Sequence, residues 1–395
     1  MTAWRPDVLG PGFECRDIDL GSDDEGPVVA TLVRSLPVRR SLWDRMLRRA
    51  RPLEDIDVLY VHGWSDYFFQ RRLARFYTDR GARFFALDLR KYGRSLRAGQ
   101  TPGYIEDLDD YDEEIGRALE IMQEPDDGIA PAGPPSPRGL VLMGHSTGGL
   151  VLSLWSARHP GRAQAVVLNS PWLEFQLSGR IRQLVAPLID FRARLNPHDA
   201  APQLDFGYYS RAQREVADAA DPAEINAVWR PDRTHSVSAG WLRAILAGHS
   251  RIAAGIDVGA PVCVLLSQRF AVPVRWSEDL TRADTVLEVD EIARASLRLG
   301  PSVTVERIDG ALHDVFLSAH DAREEAYRRL DRWMLGWAGG RRAEGPAQQH
   351  ALGSQYGFEG GRLRSGGATG QDPAHPLAPR SHARLDAAGR RPRER

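Results

Sequence analysis

Six short apolar segments between residues 55 and 310 constrain the fold more than any other feature of the chain. Most are rich in Val, Leu, Ala or Phe without polar alternation, which is typical of strands buried on both faces. Segments of helical spacing separate several of them. This alternation predicts an α/β fold with a mainly parallel central sheet covered by helices on both faces. The six segments read IDVLYVHG, ARFFALDLR, RGLVLMG, AQAVVLNSP, PVCVLLS and SVTVERIDG.

The chain divides into a core and an insertion. Residues 1–54 supply the first strands, because FECRDIDL, a turn at GSDDEGP and VVATLVRSLP predict an antiparallel hairpin. Residues 55–170 and 259–337 form the two parts of the core. Between residues 171 and 258 the alternation gives way to helix-like pieces such as SGRIRQLVAPLIDFRARL and SAGWLRAILAGHS. That length exceeds a simple connection, so we expect a helical cap inserted after the sixth strand.

The composition changes near residue 338. The remaining stretch, residues 338–395, is rich in Gly, Pro and Arg and has no helical or strand period. Such a segment cannot bury enough apolar surface to offset its ordering entropy, so we expect a disordered tail. A tether to an acidic partner is one role that its arginines leave open.

Charge and composition exclude several classes of protein. The formal net charge of −1 over 395 residues gives no general attraction for nucleic acid or an anionic membrane, so no nucleic-acid partner is expected. No apolar run approaches the roughly 18 residues of a spanning helix. The N-terminus lacks the pattern of a signal peptide, which favours the cytoplasm. Cys15 and Cys263 are expected to be reduced and buried. The oligomeric state stays open.

A serine between glycines follows the segment RGLVLMG. In GHSTGG, Ser146 lies between Gly144 and Gly148, with a predicted strand before it and the helical pattern TGGLVLSLWSARHP after it. This arrangement favours a nucleophile on a strained strand-to-helix turn, where glycines let two backbone segments cross. An ordinary glycine-rich turn is the alternative. A nucleophile also needs a base, and His313 follows the last predicted strand, at the same edge of the sheet.

Four motifs in this order, VHGWSDYFF, ALDLRKYGRS, GHSTGG and GALHDVFLS, resemble the α/β-hydrolase superfamily. The branch they are most similar to contains monoacylglycerol lipase-like, lysophospholipase-like and serine-aminopeptidase-like proteins. The resemblance implies an enzyme with Ser146 as nucleophile, His313 as base and the backbone N–H groups of Trp64 and Thr147 as oxyanion donors. It implies no metal or organic cofactor. The family's GHGxS loop is replaced by KYGRS, which we expect to alter a surface turn.

The acid of the triad is less determined by the sequence. Six carboxylates precede His313 in a segment longer than is usual in the family: Glu278, Asp279, Asp284, Glu288, Asp290 and Glu291. The last three fall at the start of, or within, a predicted helix, and the first two could belong to a surface turn. Asp284 matches the family's D-x-V pattern, and we take it as the acid.

The substrate is predicted from the cap and from the resemblance together. Trp172 and Phe175 are candidate substrate-binding residues, because an apolar cap suggests a hydrophobic acyl group. The resemblance favours a small carboxylic ester similar to a monoacylglycerol or a lysophospholipid. The alternatives are a serine-aminopeptidase-like hydrolase of small peptides or amides and a non-catalytic scaffold of the same fold.

Overall fold

The computed structural model describes residues 3–38, 51–125, 138–175, 193–200, 205–219 and 224–354, with side chains up to residue 343. In this described part, nine strands form one sheet in the order β1-β2-β3-β5-β4-β6-β7-β8-β9. Pairs from β1 to β5 along that order are antiparallel, and the others are parallel. The strands are β1 Arg5–Pro6, β2 Glu14–Asp23, β3 Gly26–Ser35, β4 Ile56–Val61, β5 Arg83–Asp88, β6 Gly139–His145, β7 Ala165–Asn169, β8 Val262–Ser267 and β9 Val303–Ile308.

Helices cover both faces of this sheet. Successive side chains of a strand point to opposite faces, so in β4 Leu59 belongs to one apolar core and Val58 to the other. Residues of α2, α3, α5 and α6 fill the first core, and residues of α1 and α7 fill the second. The predicted α/β fold is confirmed. The helices are α1 Arg71–Asp79, α2 Tyr111–Met122, α3 Thr147–Arg158, α4 Tyr208–Glu215, α5 Ala239–Ala254, α6 Val289–Ser296 and α7 His320–Ser354. In the described ranges, none of the helices has both the length and the apolar character needed to cross a bilayer.

The insertion follows β7, not the sixth strand in chain order, because the two-residue strand β1 precedes the hairpin and adds one to the count. Within the insertion, α5 packs on α3, where the absent side chain of Gly248 leaves room for Leu150 and Leu154. Residues 176–192, which hold most of the predicted helix SGRIRQLVAPLIDFRARL, lie outside the described residues.

The loop KYGRS is not the surface turn that the sequence predicts. Lys91 is only 1% exposed, and its ammonium group lies 2.6 Å from carboxylate oxygens of both Asp23 and Glu25. Both acids belong to the tip of the β2–β3 hairpin, which therefore covers the loop. The expectation was wrong because this pairing joins segments that are distant in sequence.

The C-terminal helix continues past the boundary that composition suggests. Ala338 is 3% exposed in the second core, and the Trp337 indole N–H donates to the Gln164 carbonyl at 3.2 Å. Arg341 forms an ion pair with Asp55. The core therefore extends beyond residue 337. Residues 355–395 lie outside the described residues, and their predicted disorder stays a prediction.

These contacts predict that two truncated chains differ in unfolding temperature. A chain ending at Ala343 should unfold at the temperature of the full chain. A chain ending at Trp337 loses the Ala338 packing and the Arg341 pair, about 1–2 kcal/mol, which should lower Tm by a few degrees. Scanning calorimetry of the three chains measures this, and equal Tm values would contradict the packing described here.

Candidate active site

Ser146 is held in a conformation that side chains rarely adopt. It lies between β6 and α3 with φ 51° and ψ −117°, a strained backbone for any residue with a Cβ. Three elements hold it there. Its N–H donates to the Asn169 carbonyl at 3.0 Å, and its own carbonyl accepts from the N–H groups of Gly149 and Trp172, each at 3.0 Å. These bonds compensate the strain, and Ser146 is largely buried, with 8% of its surface exposed.

Glycines around this turn are required by close backbone contacts. A Cβ on Gly144 would lie 2.6 Å from the Gly148 carbonyl oxygen, and a Cβ on Gly148 would overlap the carbonyl oxygens of Val61 and His62. A Cβ on Gly63 would lie 2.9 Å from the Ser146 Cβ. The turn after β4 and the turn after β6 therefore pack directly against each other, in agreement with the crossing of two backbone segments that GHSTGG predicts.

His313 and Asp284 form a buried pair at this edge of the sheet. The His313 Nδ1 lies 2.9 Å from the Asp284 Oδ2, and the two side chains are 3% and 0% exposed. The other carboxylate oxygen, Oδ1, accepts from the N–H groups of Val286 and Leu287 at 2.7 and 2.8 Å. Because a carboxylate only accepts, Nδ1 carries the proton and the lone pair of neutral His313 is on Nε2.

Other carboxylates near Asp284 have different partners. Glu288 caps the N-terminus of α6 through the N–H groups of Asp290 and Glu291. Asp279 pairs with Arg269 at 2.8 Å on the surface, and Asp290 pairs with Arg307. Of the six acids considered from the sequence, Asp284 is the one hydrogen-bonded to His313.

The surroundings of His313 include a second histidine. The rings of His145 and His313 lie 5.0 Å apart, which brings His313 next to the residue that precedes Ser146. The His145 Nδ1–H donates to the Asn169 carbonyl at 3.1 Å. Burial lowers the pKa of His145, and His313 lowers it further, against the opposing charge of Asp314. His145 is therefore neutral at pH 7 and adds no positive charge beside His313.

Two backbone N–H groups, one in each of the two packed turns, are candidates for binding an anion. Within the described residues, neither Trp64 nor Thr147 donates its N–H to an acceptor of the protein. Thr147 follows Ser146 directly. Trp64 follows Gly63, and Gly63 packs against Ser146. His62 stabilises the turn after β4. Its Nδ1–H donates to the Gly63 carbonyl at 2.8 Å, and its Nε2 accepts from the Leu89 N–H at 3.1 Å.

Aromatic side chains of the insertion gather beside the serine turn. The rings of Trp172 and Phe175 are stacked 6.0 Å apart, both partly exposed, and Trp172 donates its N–H to Ser146. Trp241 of α5 lies 5.9 Å from Trp172 and 4.1 Å from Trp64. We call Trp64, Trp172, Phe175 and Trp241 the aromatic cluster. The backbone of one member, Trp172, is bonded to the backbone of Ser146.

Three polar side chains near His313 were missed in the sequence analysis. Asp314 follows His313 directly, Asn169 ends β7 at the same sheet edge, and Tyr209 of α4 lies with its ring 5.6 Å from the His313 ring. Strand ends and the residue after a candidate base are signals that could have identified the first two. Tyr209 has no such signal, because only the folded insertion brings it to this site.

The close contact at Gly148 predicts a severe effect of one added methyl group. Gly148→Ala should destabilise the protein by at least about 2 kcal/mol, because the new Cβ meets rigid backbone and not a flexible side chain. Gly116→Ala, in α2 with open space around it, is the matched control and should be neutral or stabilising by up to about 1 kcal/mol. Urea unfolding of both variants compares them. Equal midpoints would mean that the turns do not pack as described.

Known proteins are similar to this chain in sequence and in fold. A monoacylglycerol lipase from Mycolicibacterium smegmatis is 25% identical over 265 residues, which are 66% of this chain and 81% of that lipase. A crystal structure of a soluble variant of monoglyceride lipase from Saccharomyces cerevisiae, in complex with a substrate analogue, has a TM-score of 0.52 at 13% identity and covers 82% of this chain and 96% of its own. A thermostable carboxyl esterase from Bacillus coagulans, in complex with glycerol, has a TM-score of 0.53 at 13% identity and covers 82% and 99%.

Family membership follows from a match to a family sequence profile. The sequence profile described as serine aminopeptidase, S33, matches residues 55–269, more than half of the 395-residue chain. The two structural neighbours, at 13% identity, bear on the fold alone, and they agree with the mainly parallel sheet. The chain is an α/β-hydrolase and belongs to the serine aminopeptidase S33 family.

Proposed function

We propose that this protein is a serine hydrolase of carboxylic esters with a hydrophobic acyl group. Ser146 is the nucleophile, His313 the general base and Asp284 the acid that orients it. The observation that carries the proposal is the buried Asp284–His313 hydrogen bond beside a strained, partly accessible serine. Similarity to a monoacylglycerol lipase supports esters as the substrate class.

The reaction proceeds through an acyl-enzyme. His313 Nε2 takes the hydroxyl proton as Ser146 Oγ attacks the ester carbonyl, and the negative charge of Asp284 stabilises the imidazolium that forms. The tetrahedral oxyanion accepts hydrogen bonds from the N–H groups of Trp64 and Thr147. His313 then protonates the leaving alcohol. Water repeats the sequence on the acyl-enzyme and releases the carboxylic acid.

The aromatic cluster supports a hydrophobic acyl group. Trp172 is bonded through its main-chain N–H to the Ser146 carbonyl, and its ring stacks with that of Phe175. An acyl chain packed on these rings would be removed from water near the reacting carbonyl. Monoacylglycerol-like and lysophospholipid-like esters fit this arrangement.

Cleavage of short peptides or amides is the second candidate, favoured by the description of the family. An aminopeptidase needs a carboxylate that is free to bind the ammonium group of its substrate. Near this site, Asp66 is paired with Arg230 at 2.8 Å, and Asp314 accepts from Asn169 at 2.8 Å. Both carboxylates are engaged within the described part of the protein, so neither is free for that role, and with the similarity to a monoacylglycerol lipase this favours ester cleavage.

Removal of the nucleophile tests the chemistry directly. A fluorophosphonate probe should label the wild type on Ser146, and Ser146→Ala should abolish labelling and reduce ester turnover by about a millionfold. Ser153→Ala is the matched control: its hydroxyl donates to the Gly149 carbonyl within α3, and labelling should persist. Peptide mass spectrometry identifies the labelled residue. Labelling of the Ser146→Ala protein would assign the nucleophile to another residue.

The acid is tested by an isosteric change. Asp284→Asn should lower kcat by about ten-thousandfold while the protein stays folded, because the amide favours the wrong tautomer of His313. Asp290→Asn, at an exposed acid of α6 that pairs with Arg307, should keep near-normal kcat. Steady-state kinetics and circular dichroism of both variants decide. Normal turnover of Asp284→Asn would remove Asp284 from the mechanism.

A graded substrate panel tests the acyl preference. With p-nitrophenyl esters, kcat/KM should rise from acetate toward medium chains, by up to about fourfold per methylene if each buried methylene contributes about 0.8 kcal/mol. Aminoacyl arylamides, measured in parallel, should react far more slowly. Faster cleavage of the arylamides, or a steady fall from acetate upward, would favour the aminopeptidase-like function or a polar acyl site.

A further inference from the structure

Asn169, at the end of β7, contacts both segments that the proposed reaction needs. Its main-chain carbonyl accepts from the Ser146 N–H at 3.0 Å and from the His145 ring at 3.1 Å. Its side chain faces the loop after His313. There, Nδ2 donates to the Asp314 Oδ1 at 2.8 Å, and Oδ1 accepts from the Val315 N–H at 3.2 Å. A single residue therefore joins the serine turn to the histidine loop.

Both carboxylate oxygens of Asp314 accept hydrogen bonds from described residues. Its carboxylate is buried, and Oδ1 accepts from the Phe316 N–H at 3.0 Å in addition to Asn169. The other oxygen accepts from the Gln70 Nε2 at 3.0 Å. The orientation of that amide is fixed, because the Gln70 Oε1 accepts from the Phe69 N–H at 3.2 Å. Three donors thus offset the cost of burying the carboxylate and hold it in one position.

The insertion adds a further contact to the same residue. The Tyr209 Oη accepts from the Asp314 N–H at 3.0 Å and from the Gln213 Nε2 at 2.7 Å. Arg230 donates to the Gln213 Oε1, which sets the direction of that amide. Burial raises the pKa of Tyr209, and the nearby Asp314 raises it further, so the phenol is neutral and its two lone pairs receive both donors.

We propose that Asn169 and Asp314 form a positioning pair that sets the distance between the His313 ring and Ser146. This inference rests on the proposed function of those two residues. Asp284 fixes the rotation of the imidazole through Nδ1, but the separation of the ring from the serine depends on the backbone on either side. Asn169 is bonded to both backbones. We assign neither Asn169 nor Asp314 a contact with the reacting atoms. An error of about 1 Å in the distance between the His313 ring and Ser146 can cost about a hundredfold in rate.

Isosteric variants of the pair test this role. Asp314→Asn and Asn169→Asp should each lower kcat by about 10- to 100-fold and change KM by less than about threefold. Asn169→Asp brings two carboxylates into contact at the position of the 2.8 Å bond. The double exchange, with Asp at 169 and Asn at 314, restores a donor–acceptor pair there and keeps an acceptor for the Val315 N–H, but it removes the acceptor of the Phe316 N–H. It should therefore recover kcat in part, by at least about threefold over Asn169→Asp alone.

A matched control separates positioning from a loss of stability. Glu114 of α2 is also buried and pairs with Arg90, and within the described residues none of its hydrogen bonds goes to the serine turn or to the loop of His313. Glu114→Gln should lower Tm and leave kcat unchanged. The rate of fluorophosphonate labelling should fall in the pair variants in parallel with kcat. Tyr209→Phe, which removes only the phenol oxygen, is a milder variant that should lower kcat by about three- to tenfold if the pair variants fail to fold.

Each outcome bears on the proposal. A kcat loss at constant KM that the double exchange rescues supports the pair. A kcat within twofold of wild type in both single variants overturns the proposal, as does such a kcat in Tyr209→Phe if the single variants do not fold. A loss of kcat that follows the loss of Tm and is not rescued by the double exchange also overturns it. Wild-type protein that neither hydrolyses esters nor takes the probe would refute the proposed function, and the role of the pair with it. Active wild type with unaffected variants refutes the pair alone.

Discussion

The close contact of two backbone turns is the constraint on which the site depends. The turn after β4 and the turn after β6 touch without intervening side chains at Gly63 and Gly148. Any Cβ there would separate the Trp64 N–H from the Thr147 N–H and from Ser146. The strained backbone of Ser146 is tolerated because its N–H and C=O are bonded to neighbouring elements and not to solvent. The parallel strands bring these turns to one edge of the sheet. The turns then fix the positions of the Trp64 and Thr147 N–H groups.

Much of this arrangement was predictable because its signals are local. Apolar runs predicted the buried strands, and glycines around Ser146 predicted the crossing of two backbones. His313 was predicted as the base from its position after the last strand. Asp284 required the resemblance to a family, since six acids shared the same stretch of chain.

The features that the sequence did not reveal are pairings between distant segments. Lys91 is buried only because a hairpin more than sixty residues earlier carries Asp23 and Glu25 to it. The helix α7 continues past Trp337 through contacts with Asp55 and Gln164, although its own composition is that of a solvated segment. Tyr209 meets Asp314 only after the insertion has folded. Local composition and periodicity carry no information about such partners, so they emerge from tertiary structure.

The first strand has a consequence for the behaviour of this protein in concentrated solution. A sheet that is not closed exposes unpaired N–H and C=O groups at its edge, which can pair with a second chain and start aggregation. Here β1, which is two residues long and contains Pro6, pairs with Glu14 and Cys15 at the start of β2. Proline has no N–H to offer, and so short a strand gives little length for pairing. Arg5 and Pro6 thus protect the start of the β2 edge from pairing with a second chain.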